Sequence, residues 1–269
     1  MGFADAGLYS SNEIAVLSMT DLIRENLDAF LGLMDLAAGA GDSAENVFEL
    51  THRLRASKPM QLCLKRLAQH PESQALIERR YGGGSYDSAA LRALPQGTLG
   101  HTYATVMEVM GYDINFFPKP EFFASLEIDA DYVNYRATAT HDLHHILSSF
   151  SLNNFGELGV ISISVAQFSH PGSAFLDLMA LLLSWFRSDT PIDQLETIQE
   201  QARSASYAYK MIGNGLEMGL NAKPLFPVIW EERWEHNLDE LRAELGIVPA
   251  LDGPWSWASN EVIRQALGW

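Results

Sequence analysis

Apolar positions along this chain recur three and four residues apart almost everywhere, the spacing that lays a stripe along one side of an α-helix. "EIAVLSMTDLIRENLDAFLGLMDLAAG" (13–39) predicts one long or broken apolar helix stopped by a glycine. "QLCLKRLAQ" and "HPESQALIERRY" predict two short helices, the second with Pro71 at the first helical position, where the missing N–H costs nothing. "GGGSYD" (82–87) predicts a loop, and "PQGTLGHTYATVMEVMG" (95–111) a turn running into a further helix. The two prolines of "FFPKPEFF" predict an irregular connection. Residues 130–170 read as two helices separated by the "SLNN" break. "GSAFLDLMALLLSWFR" is nearly apolar all round, the pattern of a buried helix at the centre of a bundle. Pro191 opens another helical stretch, and "GNG" (213–215) falls between helical segments. "FPVIWEERWEHNLDELRAELG" (226–246) puts Trp230, Trp234, Leu238, Leu241 and Leu245 on one stripe, with Gly246 as its cap. Strand-type alternation, hairpin turns, internal repeats and low-complexity tracts are missing. The fold class is all-α, a single-domain multi-helix bundle.

Composition narrows the partners. Against 18 Lys and Arg stand 34 Asp and Glu, a formal net charge of −16 in 269 residues. Such a field repels phosphate backbones, which excludes nucleic acid as a natural partner, and it opposes electrostatic adhesion to anionic lipid. An apolar patch could still dock on a membrane. Cys63 is the single cysteine, so an intramolecular disulfide is impossible and a reducing compartment is expected. The first 23 residues hold no Lys or Arg but carry Asp5, Glu13 and Asp21, unlike a signal peptide or a mitochondrial presequence. The apolar run "LMALLLSWF" after Asp177 is far short of the roughly 20 residues that span a bilayer. A cytoplasmic protein without a transmembrane segment is expected.

The chemistry concentrates in "HDLHHILSSFSLNNFGE" (141–157). Residues four apart on a helix differ by about 40° in direction, so His141 and His145 project from nearly one face and can grip one cation. Asp142, about 100° round from His141, either reaches the ion or orients a ligating histidine. Glu157 should fall in the first turn of the following helix, where the dipole favours a carboxylate. Antiparallel helices would bring it back beside the histidines. Two imidazoles with one or two carboxylates leave coordination positions open, as in catalytic sites, and suit Zn2+ or Fe(II) alike. The plainer reading is a helix with two satisfied histidines. His144 reads as a flanking or orienting residue, His170 as a helix-end residue, and His101 and His236 carry no special role. Trp230 and Trp234 read as core packing, Arg233 as the partner of a carboxylate in the bundle, and Met107, Met110 and Met218 as gap-fillers in the core.

The motif "HDLHH", eleven residues, then Glu157 resembles the H-D-x-x-H…E signature of the coenzyme Q (ubiquinone) biosynthesis protein 4 family. "HPESQALIERR", "LPQGTLGHTY" (94–103) and "WEERWEHNLDELRAELGI" (230–247) resemble further family segments in the same order. The resemblance spans roughly residues 30–250, leaving 1–29 as an N-terminal extension, expected to be helical, and 251–269 as a tail. It implies an α-helical fold and a divalent metal ion held by His141, Asp142, His145 and Glu157, between two consecutive helices. It also implies an apolar groove for a polyprenylated aromatic ubiquinone precursor, peripheral contact with the inner membrane, and other ubiquinone-biosynthesis proteins as partners, with a homodimer as one candidate assembly. The implied chemistry is oxidative removal of the carboxylate at ring carbon one. The alternatives are a non-catalytic prenyl-lipid-binding scaffold and a paralogue acting on another prenylated or aromatic metabolite. "GLNAKP" departs from the family pattern, with Leu220 and Asn221 where a basic pair is expected.

Overall fold

The computed structural model describes residues 24–83, 85–116, 126–186 and 205–269. Among these, every regular element is helical. The N-terminal half holds α1 (Arg24–Ala38), α2 (Ala44–Leu54), α3 (Lys58–Leu67), α4 (Pro71–Glu78), α5 (Ser88–Arg92) and α6 (Leu99–Met110). Then come α7 (Asp129–Ala139), α8 (His141–Ser148), α9 (Asn154–Phe168), α10 (Pro171–Phe186), α11 (Ala205–Asn221), α12 (Leu238–Leu245) and α13 (Glu261–Leu267). Local chemistry sets the ends. Ser57 accepts the Met60 N–H at 3.2 Å to start α3, Pro71 is the first residue of α4, and Thr98 caps α6, which Gly111 ends at φ 76°.

Four expectations are corrected. Residues 130–170 hold three helices rather than two, because the chain also breaks at Thr140, between α7 and α8. "GNG" lies inside α11, where packing against α9 overrides the helix-weakening effect of glycine. The 226–246 stripe is not one helix: Trp230–Glu232 forms a short 3-10 turn, and α12 begins afresh at Asn237, whose side chain accepts the Asp239 and Glu240 N–H groups. Gly246 does end α12, at φ 72°. Finally, α10 is not buried all round: it packs on α1, α2, α3, α9 and α11 and buries Met179 together with Ser173, Asp177 and Ser184, but leaves Leu178 and Trp185 exposed. The 13–39 prediction is described only from residue 24, as α1; "FFPKPEFF" falls almost wholly outside the described residues, and the Pro191 stretch entirely so.

The central helix is α9, packed against α3, α8, α10 and, most closely, α11. A Cβ at Gly215 of α11 would lie 2.1 Å from the Gly159 carbonyl of α9, so only glycine permits this approach. The main core joins α6, α8, α9, α11, α12 and α13 around Leu99, Ile146, Phe150, Ile163, Trp230 and Trp257. A second cluster joins α3, α4 and α7 to Phe168 and Phe226, and a third joins α1, α2 and α10. No helix among the described residues is long and apolar enough to cross a membrane.

Candidate metal centre

The site is built by a tight reversal between α8 and α9. Ser149 ends α8 in the left-handed region (φ 61°), and the chain turns back through residues 150–153. It then lies directly on the first turns of α9. A Cβ at Gly156 would meet the Ser151 carbonyl oxygen at 2.0 Å, and one at Gly159 would meet the Phe150 ring at 2.7 Å. These two glycines flank Glu157, and their missing side chains let the reversal close until its carboxylate reaches α8. Glu157 sits in the first turn of α9, as expected. The signal for this closure was present in "FGELG", but nothing local says what each glycine must clear.

His141, His145 and Glu157 converge, with one ligand atom from each inside a 4.8 Å span. The Nε2 atoms of His141 and His145 lie 3.2 Å from Glu157 Oε2 and Oε1 respectively. On the far side of each ring an acceptor fixes the tautomer. His145 Nδ1–H donates to the Phe150 carbonyl at 3.1 Å, and His141 Nδ1–H to Asp142 Oδ1 at 3.4 Å. Both Nε2 lone pairs therefore face a carboxylate that can only accept. His145 Nε2 is buried and has no hydrogen bond. Acceptors gathered on acceptors fit a cation between them, and two imidazoles with a carboxylate are a donor set for Zn2+ or Fe(II). Of the four residues expected at the ion, His141, His145 and Glu157 each bring a ligand atom into this span, while Asp142 Oδ1 lies 3.4 Å from His141 Nδ1. The His145 side chain is 1% exposed, whereas His141 and Glu157 are 24% and 38% exposed, so the cluster opens to solvent on their side.

The electrostatics of the site agree. Burial would lower the His141 pKa, but the Glu157 and Asp142 carboxylates outweigh it and raise it to about 10. Burial would likewise raise Glu157, yet the two histidines hold its carboxyl well below the usual range. Positive charge is thus favoured between these groups, and a cation binding there would release a proton.

The sequence profile of the family described as "Coenzyme Q (ubiquinone) biosynthesis protein Coq4" matches residues 42–250. The chain belongs to this family. A relative from Clavispora lusitaniae (strain ATCC 42720), named ubiquinone biosynthesis protein COQ4, mitochondrial, is 32% identical over 157 residues, 58% of this chain and 44% of that protein. The Anopheles gambiae COQ4 homolog, also named mitochondrial, is 31% identical over 175 residues, 64% of this chain and 55% of that protein. The chain spans about half the length of the curated relatives it matches. A crystal structure from Nostoc punctiforme PCC 73102, described as that of a candidate ubiquinone biosynthesis protein, superposes with a TM-score of 0.67 at 26% identity, covering 82% of this chain and 97% of that one.

The remaining singled-out residues of this Coq4-family chain fall outside the cluster. His144 packs edge-on against Trp230, ring centroids 6.2 Å apart, and burial pushes it down to about 3, helped by His141, Arg136 and His145. His170 is a helix-end residue whose Nδ1 accepts the Ser173 N–H at 3.2 Å, while Nε2–H donates to Asn134. His101 donates to the Arg92 carbonyl, and His236 lies against Arg233. Arg233 pairs with Glu244 at 3.5 Å, the structural role expected of it. Trp230 is fully buried and Trp234 stacks on Tyr103, both core packing. Met107, Met110 and Met218 pack in or against the main core. Two cavities of about 180 and 230 Å3 lie elsewhere, one beside Ser151 and Asn153, the other beside Ser73 and Gln167, and neither is lined by a ligand residue.

Proposed function

We propose that this chain binds a divalent cation, Zn2+ or Fe(II), through His141, His145 and Glu157, with Asp142 orienting His141. In ubiquinone biosynthesis it would act there on the head group of a polyprenylated aromatic acid. The observation that carries the reading is the convergence of two imidazole lone pairs on a carboxylate at 3.2 Å. When bound, the ion supplies Lewis-acid or redox assistance to departure of the ring carboxylate. In the net reaction the bond from ring carbon one to the carboxylate breaks and carbon dioxide leaves. Water supplies the oxygen of the ring hydroxyl, one proton is taken up, and dioxygen, the oxidant class proposed, accepts the two electrons and leaves as hydrogen peroxide. His145 anchors the buried side of the centre, while His141 and Glu157 border the open side from which the ring approaches. Near this open side the Tyr112 hydroxyl donates to the Leu152 carbonyl at 3.1 Å, and partial burial with the Glu157 and Asp142 charges shifts its pKa upward.

The polyprenyl tail and the membrane would meet the apolar face of α1 and α10, where Leu27, Phe30, Leu31 and Leu178 are exposed. Each methylene buried there contributes about 0.8 kcal/mol. Other ubiquinone-biosynthesis proteins are the proposed partners, at the cytoplasmic face of an inner membrane, and a homodimer the proposed assembly. The test is elemental analysis of the parent and of Glu157→Ala, with a thermal melt and turnover of a prenylated hydroxybenzoate for each. We expect near-stoichiometric metal and turnover in the parent, both lost in Glu157→Ala with the melt retained. Metal lost together with the fold would favour an ion that only braces α8 and α9. A parent that takes up no ion under any loading condition would sink the assignment.

A further inference from the structure

The ligand helix α8 has eight residues, so the four carbonyls that an α-helix leaves without an internal partner at its C-terminus make up half of it. All four are taken by groups from one segment, residues 242–257. The Trp257 indole Nε1–H donates to the His145 carbonyl at 2.8 Å. The Arg242 guanidinium donates to Ile146 O at 2.8 Å and to Leu147 O at 2.9 Å. The Ala250 N–H donates to Ser148 O at 2.8 Å.

The same segment then runs along the α8–α9 reversal. Trp257 N–H donates to Ser149 O at 3.0 Å and Ser151 N–H to Trp255 O at 2.7 Å, with Phe150 and Ser256 in an antiparallel bridge between them. The Phe150 carbonyl held in this way is the acceptor that sets the His145 tautomer. Arg242 is 3% exposed and Trp257 is 1% exposed, with the guanidinium 5.9 Å from the indole ring. Two turns of helix have little stability of their own. The direction in which His141 and His145 point is therefore set by whatever holds the carbonyl end of α8. The family match stops at residue 250, so the Trp255–Trp257 part of this support lies beyond the matched span.

We infer that residues 242–257 form a positioning clamp for the metal centre, through which Trp257 and Arg242 set the affinity for the ion as well as the stability of the fold. The inference rests on His141, His145 and Glu157 being the ion's ligands. Trp257→Phe keeps a ring in the core and removes one donor. Tyr132→Phe is its control, removing a donor to the Tyr81 carbonyl at 2.8 Å within the α3–α4–α7 cluster. Each variant and the parent would be titrated with Zn2+ against a competing chelator and with Co2+ by its visible absorption, alongside urea melts. We expect Trp257→Phe to bind Zn2+ about tenfold or more weakly, with shifted Co2+ bands, and Tyr132→Phe to keep the parent affinity at a similar loss of stability. Parent affinity in Trp257→Phe would overturn the clamp, as would equal weakening in both variants. Should Trp257→Phe fail to fold, Arg242→Lys, which keeps the charge and loses the two-pronged contact, is read the same way. A parent that binds neither ion would refute the ligand assignment and the clamp with it.

Discussion

Asp177 turns its carboxyl into the protein rather than out of it. It is 7% exposed on α10, accepts a hydrogen bond from the Ser162 hydroxyl of α9 at 2.8 Å, and leaves its other oxygen without a partner. Burial pushes its pKa from 3.8 up to about 7, against the lowering effect of that hydroxyl. The folded chain therefore holds a proton that the unfolded chain releases. Between about pH 4 and pH 7 this group's contribution to stability falls as pH rises, by up to about 4 kcal/mol, and above pH 7 it is a constant penalty. Asp177→Asn removes the titration. Urea melts at pH 4 and pH 8 should show the variant gaining on the parent at the higher pH, and an equal gap at both would refute the shift. Cys63 makes the opposite point: burial pushes its thiol up to about 12, which leaves it an inert part of the core. Asp142 shows what residue type alone leaves open. As a carboxylate it could ligate or orient, and only its position at His141 Nδ1 favours the second role.

At the scale of elements, the packing of α9 on α11 rests on what is missing from both. Gly215 and Gly219 face Gly159, Ile163 and Ala166 so closely that added Cβ atoms would lie 2.1 and 2.7 Å from their nearest neighbours. Gly213, two residues before Gly215 on the same helix, is exposed and has nothing within 4 Å of its would-be Cβ. The two positions should thus respond oppositely to alanine. Gly213→Ala should stabilise by up to about 1 kcal/mol through helix propensity, whereas Gly215→Ala should destabilise by about 3 kcal/mol or more by prising the helices apart. Chemical denaturation of both variants checks this, and a neutral Gly215→Ala would mean that α11 sits further from α9 than described. The same elements carry the site, since α9 presents Glu157 at one end and Gly159 one half-turn later.

For the molecule as a whole, a net charge of −16 and the apolar residues left exposed on α1 and α10 pull in one direction. Charge opposes anionic surfaces, while exposed Leu27, Phe30, Leu31 and Leu178 favour apolar contact. The proposed membrane contact should accordingly be driven by burial rather than charge. In flotation assays, recovery with zwitterionic vesicles should equal or exceed that with vesicles rich in anionic lipid, and should be little affected by salt. A steep rise with anionic lipid would contradict this.

The sequence by itself determined that this chain is helical, where α3, α4, α6 and the end of α12 lie, and which residues could bind an ion. These are local matters: a 3.6-residue period, a proline or glycine at a helix end, and two histidines one turn apart are all properties of neighbours along the chain. Only the tertiary structure decided that α10 leaves Leu178 and Trp185 exposed, that glycines 213 and 215 belong inside a helix, and that Asp142 lies beside His141 Nδ1. It alone joined Arg242, Ala250 and Trp257 to the carbonyls of α8, roughly one hundred residues earlier in the chain. Hydrogen bonds across such separations leave no periodic trace in sequence, because either partner is an ordinary core residue until the other is packed against it.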